Sequence, residues 1–157
     1  MRLWHKDLLP YLPTMQLVSQ WRECCCIAVL LAENHTPNHI LVNPILDYSP
    51  GHFERYCNLV YKEMYNRGFE LTDGVCRKLE NNLRAWRVYL NEELPWAWNV
   101  KDDCTTFDEE LFKDWHNKRY LRQCYYNLQE KFDRGGISDG EWDLLTKAYV
   151  MYGGAMT

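Results

Sequence analysis

Between residues 14 and 32, apolar side chains recur at three- and four-residue intervals. Leu17, Val18, Trp21, Cys24, Cys25, Ala28 and Leu31 share one side of a predicted helix, and Thr14 stands at its cap position. The preceding arm contains Pro10 and Pro13, so it is not expected to form a continuous helix. Pro37, Pro44 and Pro50 make residues 33–50 a loop, with a short extended piece expected over Ile40 to Val42. Ser49-Pro50 reads as a cap followed by a proline in the first helical turn. The stripe Phe53, Cys57, Val60 and Met64 follows it and ends before Gly68. A third helix begins near Thr72 or Asp73 and turns Val75, Leu79, Leu83 and Trp86 inward. Pro95, with Trp96 and Trp98, marks an irregular stretch. Two capping boxes, Thr106 with Glu109 and Ser138 with Glu141, each open a further helix. Between them Leu121, Cys124, Tyr125, Leu128 and Phe132 define another, closed by Gly135-Gly136.

No segment alternates with the two-residue period of a half-buried strand. The predicted fold is therefore all-α: a compact bundle of about five helices with long irregular loops, a single domain spanning residues 1–157. Hydrophobic residues make up 46% of the chain and aromatics 15%, enough to fill one core and to exclude disorder. The longest apolar run, Cys24 to Ala32, is too short to cross a membrane. The segment Met-Arg-Leu-Trp-His-Lys-Asp has no apolar region of the secretory kind, so a cytoplasmic, nucleoid-associated protein is expected. The seven cysteines agree with a reducing compartment: their number is odd, three are adjacent, and none forms a Cys-x-x-Cys pair.

The net charge of −4 argues mildly against a polyanion partner, but the charge is unevenly placed. Arg77, Lys78, Arg84 and Arg87 cluster against Glu80 alone, and Lys113, Lys118, Arg119 and Arg122 against Asp114 alone. A local basic face can therefore exist on an acidic protein. His35 and His39 lie four apart, but Pro37 separates them and no third ligand is evident, so no metal is expected. No cofactor motif is present either.

On the first helix, Gln16, Gln20 and Glu23 fall on one stripe, with Arg22 about 100° away. Periodicity alone reads this stripe as a solvated polar face. The run Met1-Arg2-Leu3-Trp4-His5, followed by Gln16 and by Trp21-Arg22-Glu23-Cys24-Cys25, nevertheless resembles the pyrimidine-dimer DNA glycosylase/AP lyase family first known from phage. In particular it resembles a branch of bacterial relatives that begin Met-Arg-Leu-Trp-His. The similarity resumes at His39 to Asn43, Ser49-Pro50, Glu63-Met64, Arg67-Gly68-Phe69, Arg119 to Leu121, Asn127 to Gln129 and Gly135 to Ile137. Cys26 stands where the phage enzyme carries another arginine, and Gln16 where it carries a histidine.

The resemblance implies a chemistry. The α-amine of the first residue attacks C1′ of the damaged nucleotide, the base leaves and an imine forms, with a glutamate of the first helix assisting. An α-amine titrates near ~7.7–8.0 in model peptides, so an appreciable fraction is nucleophilic at neutral pH, unlike a lysine. Methionine is removed ahead of small residues and Arg2 is large, so the implied nucleophile is the amine of Met1. The catalytic residues implied are then Met1 and Glu23; the substrate-binding residues are Arg2, His5, Gln16 and Arg22; and Lys118, Arg119 and Arg122 contact DNA. The expected partner is damaged double-stranded DNA, bound by a monomer without cofactor or metal. Two readings of other classes stay open: a non-catalytic DNA-damage-binding module of the same fold, and a protein-interaction domain, which the net charge favours.

Overall fold

A computed structural model describes residues 1–93 and 111–155. Five α-helices follow one another: α1 (Thr14–Asn34), α2 (Pro50–Asn66), α3 (Asp73–Glu93), α4 (Lys118–Asp133) and α5 (Asp139–Met151). Short 3-10 helices occupy Lys6–Tyr11 and Asn43–Asp47, and no strand occurs among the described residues. The all-α expectation is met. The capping box of Thr106 with Glu109 lies outside the described residues.

Helix α1 sits at the centre because it is apolar on more than one side. Leu17, Trp21, Cys24, Ala28 and Leu31 are buried on one flank, and Gln20 and Ile27 extend the buried arc. A helix with so wide a buried surface must be covered by several elements. It packs against α2 and α3, while the arm before it is pinned by residues of its polar stripe. That arm contributes Leu3, Trp4, Leu8, Leu9 and Leu12 to the same core. Burying such side chains stabilises the fold by roughly 1.5–3 kcal/mol each.

The helix ends show how local sequence sets the boundaries. Pro50 opens α2 at its first position, with Ser49 in extended backbone ahead of it. Gly68, just beyond the end of α2, takes φ 81°, a left-handed conformation that glycine adopts without steric cost. Ser138 and Glu141 form the predicted capping box of α5. Glu141 also accepts a hydrogen bond from the Thr14 amide at 2.9 Å, joining the start of α1 to the start of α5. This bond, with those from Ser138, holds the Glu141 carboxyl below the usual carboxylate range.

Three local expectations are corrected. Thr14 does not cap α1: it is the first helical residue, Pro13 precedes it without a side-chain cap, and Glu141 supplies the missing acceptor. Ile40 to Val42 form a turn rather than an extended piece, closed by Val42 N–H donating to the His39 carbonyl at 2.8 Å. Val75 is exposed, because the buried face of α3 begins only at Leu79 and continues through Leu83, Trp86 and Leu90.

Candidate active site

The first five residues run between helices, where an irregular backbone must find hydrogen-bond partners or forfeit their free energy. Nearly all of those partners are side chains. The Arg2 amide donates to Glu23 Oε2 at 2.9 Å, and the Arg2 carbonyl accepts from Gln20 Nε2 at 3.0 Å. The Leu3 carbonyl accepts from the Tyr120 hydroxyl at 2.6 Å. The Trp4 amide donates to Gln20 Oε1 at 2.8 Å, and the Trp4 carbonyl accepts from the Tyr56 hydroxyl at 2.7 Å. The Lys6 amide donates to His116 Nδ1 at 3.0 Å. One short stretch of chain is thus held by α1, α2, α4 and the turn before α4.

Glu23 and the terminus come together at the open end of this arrangement. Met1 is 39% exposed, Glu23 is partly buried and Arg22 is exposed. The Arg2 amide that binds Glu23 is one residue along from the Met1 amine, so carboxylate and amine lie within about one residue length, ~3.6 Å, of a shared hydrogen-bond site. The Arg2 guanidinium lies over the Trp4 ring, 5.3 Å from its centroid, a cation–π geometry that keeps it beside the terminus. It also approaches Cys124, whose thiol burial pushes up to about 11. A thiol so protonated is no rival nucleophile at neutral pH.

The other predicted site residues divide. Gln16 is half-buried, one turn before Gln20 on the same stripe of α1. Lys118, Arg119 and Arg122 are exposed on the first turns of α4, on either side of Tyr120, which faces the arm. The Lys118 side chain passes close to Gly153, just beyond the end of α5. His5 is buried. It is 2% exposed, its Nε2 bonds the His116 carbonyl at 2.8 Å, and its ring stacks on His116 with centroids 5.2 Å apart. The His5 ring is thus occupied by contacts within the protein.

Residues that sequence reasoning did not place at the site prove central to its geometry. Gln20, on the stripe read as solvated, is 0% exposed. Tyr56, Tyr120 and His116 likewise hold the arm from a distance in sequence. The one available signal was a glutamine sharing a stripe with the glutamate.

The histidine pair has a consequence for stability. His116 Nδ1 accepts from Lys6, so the neutral ring carries its proton on buried Nε2, which has no partner among the described residues. Burial holds His116 well below its ordinary value of 6.5, helped by repulsion from His5 and Lys6. Burial also lowers His5, partly opposed by Asp7. With folded-state values depressed, both rings contribute stability that is fully present above the unfolded value and lost as pH falls through the folded values. The melting temperature should therefore drop as pH is lowered from about 6.5, and His116→Gln should flatten the drop. An unchanged profile in that variant contradicts this reading.

Among the described residues, no three His, Cys, Asp or Glu side chains gather to hold a metal ion. His35 instead stacks on Tyr89, and His39 Nδ1 accepts from the Leu41 amide. No helix there is long and apolar enough to cross a membrane. A cavity of about 420 Å³ lies between α1, α2 and α3, lined in part by Trp21, Tyr61 and Arg84, and does not include Glu23.

Comparison with known proteins adds one finding. No curated protein and no solved structure matches the chain. A family model described as pyrimidine dimer DNA glycosylase matches residues 1–75, which include the arm, all of α1 with Glu23, and all of α2. The residues that carry the resemblance, Met1 to His5 and Arg22-Glu23, all lie within the stretch that is similar to the pyrimidine dimer DNA glycosylase family.

Proposed function

We propose that this protein is a DNA N-glycosylase with linked AP lyase activity, acting as a monomer on damaged duplex DNA in the nucleoid through an imine at the Met1 amine. The observation that carries the reading is the 2.9 Å bond from the Arg2 amide to Glu23 Oε2, which ties the carboxylate to the residue adjoining the free amine. A duplex can reach this point because Met1, Arg22 and part of Glu23 are at the surface.

The roles follow from the chemistry of each group. The Met1 nitrogen lone pair forms the bond to C1′ as the glycosidic bond breaks and the base departs. Glu23, as a carboxylate, offsets positive charge developing on the sugar and relays protons in base release and in the elimination that cuts the strand. Arg2 and Arg22 hold the flanking phosphates, with Lys118, Arg119 and Arg122 extending the contact along the backbone. Extruding a nucleotide costs a few kcal/mol and less at a distorted lesion, which favours damaged sites.

The test is borohydride reduction in the presence of abasic-site duplex, since an imine is converted to a stable protein–DNA adduct and a non-covalent complex is not. An adduct is expected; its absence, with binding intact, leaves a binding module. Phosphate binding is tested separately. Arg2→Ala and Arg22→Ala should each weaken affinity for the duplex and lower the magnitude of the slope of log affinity against log salt by ~0.9 for each phosphate no longer neutralised. Unchanged slopes in both variants would remove these arginines from the interface.

A further inference from the structure

We infer that Gln20 is the positioning residue of the N-terminal amine, acting through the backbone of the arm and not by contact with DNA; this rests on the amine being the nucleophile. Its side-chain amide makes both bonds of a two-point clamp. Nε2 donates to the Arg2 carbonyl at 3.0 Å, and Oε1 accepts from the Trp4 amide at 2.8 Å. The two points lie on either side of Leu3, so together they fix both the height of the arm on α1 and the direction in which it leaves. Oε1 also accepts from the Tyr56 hydroxyl at 3.1 Å. The single Tyr56 proton is shared with the nearer Trp4 carbonyl at 2.7 Å, and it is the Trp4 N–H and Arg2 carbonyl that hold the amide in one orientation.

Helix geometry connects the clamp to the chemistry. Gln20 and Glu23 are three residues apart on α1 and therefore share a face. The arm meets Gln20 through Trp4 and Arg2, then meets Glu23 through the Arg2 amide. A rigid helix sets the distance between these two anchor points, and the amine continues from the second. Glu23 alone gives one part-buried bond about which the arm can turn; the fully buried Gln20 supplies the anchor that stops the turn. The glutamine is fully buried, so it touches no substrate. A side-chain amide gives one donor and one acceptor at this spacing without charge at any pH near neutral.

The experiment pairs a chemical readout with a structural one. In single-turnover borohydride trapping on abasic duplex, Gln20→Met, which matches the length without polar atoms, should form adduct about 100-fold more slowly, the loss expected for a misplacement of ~1 Å. Affinity for the duplex should fall no further than in Arg2→Ala, because Arg22, Lys118, Arg119 and Arg122 keep their positions. In parallel, the Arg2 amide proton shift in NMR should follow the titration of Glu23 in the wild-type protein and lose that dependence in the variant. A role in stability alone would lower the melting temperature while leaving both readouts of the folded protein unmoved.

If Gln20→Met does not fold, Gln20→Glu keeps the acceptor for Trp4 and Tyr56, loses the donor to the Arg2 carbonyl when ionised, and should shift both readouts in the same direction. Trapping at the wild-type rate with Arg2 still coupled to Glu23 in a folded variant overturns the inference. If the wild-type protein forms no adduct at all, the proposed activity fails instead, and with it the amine's catalytic role. The Arg2 shift still reports whether Gln20 fixes the arm.

Discussion

Glu23→Gln should lower strand cleavage at an abasic site by about 100-fold or more while leaving the fold intact, the range associated with loss of a positioned acid–base group. The substitution removes the charge and keeps the volume. A glutamine Oε1 can still accept from the Arg2 amide, so the 2.9 Å anchor of the arm survives in form. What disappears is the carboxylate's ability to offset positive charge at the sugar and to relay a proton. Because the charge is lost and the shape is not, rate and stability should separate. A cleavage rate within twofold of wild type would remove Glu23 from the chemistry. A melting temperature lowered by more than a few degrees, with little change in rate, would recast the Glu23 bond as a structural one.

The second large effect is expected at the terminus. Acetylating Met1 removes the nucleophilicity of its lone pair, and imine trapping should vanish while duplex binding persists. Adding one glycine ahead of Met1 moves the amine by up to ~3.6 Å. The arm cannot retract to absorb that shift, because Arg2, Leu3 and Trp4 are all bonded to side chains, drawn between them from α1, α2 and α4. Near-attack geometry tolerates little displacement, so the extended protein should trap at least about 100-fold more slowly. Trapping by the acetylated protein would transfer the nucleophile to a lysine or abolish the assignment. Trapping by the glycine extension alone would show a looser site with the amine chemistry preserved.

Much of the framework was legible because it depends on neighbours in sequence. The Ser49-Pro50 start of α2, the stripe from Phe53 to Met64 and the Ser138–Glu141 box are all written within a few helical turns. The errors arise where a distant group decides. Thr14 looks like a cap until Glu141 arrives from α5 to take its amide. Val75 fits the helical stripe of α3 but lies beyond the elements that cover Leu79 and Leu83.

The site divided in the same way. Glu23 and Arg22 enter the candidate site through the resemblance alone, since their spacing along α1 reads as a solvated face. Periodicity reads Gln20 as solvated because the arm that buries it comes from the other side of two prolines, a relation no periodicity carries. Proximity to the terminus suggests a substrate contact for His5, and sequence spacing carries no sign that its ring meets His116, more than a hundred residues away. A polar stripe on an otherwise apolar central helix is therefore better read as a dock for backbone than as a face for water.

The central claim is that the Met1 nitrogen forms the covalent bond to the sugar, with Glu23 beside it. The most direct measurement is peptide mapping by mass spectrometry of the adduct formed when the protein, abasic-site duplex and borohydride are combined. The account predicts the added deoxyribose fragment on the N-terminal nitrogen of the peptide beginning Met1-Arg2, in the wild-type protein, and no adduct after acetylation of the terminus. Mass on a lysine-containing internal peptide, or an adduct that survives acetylation, would contradict it.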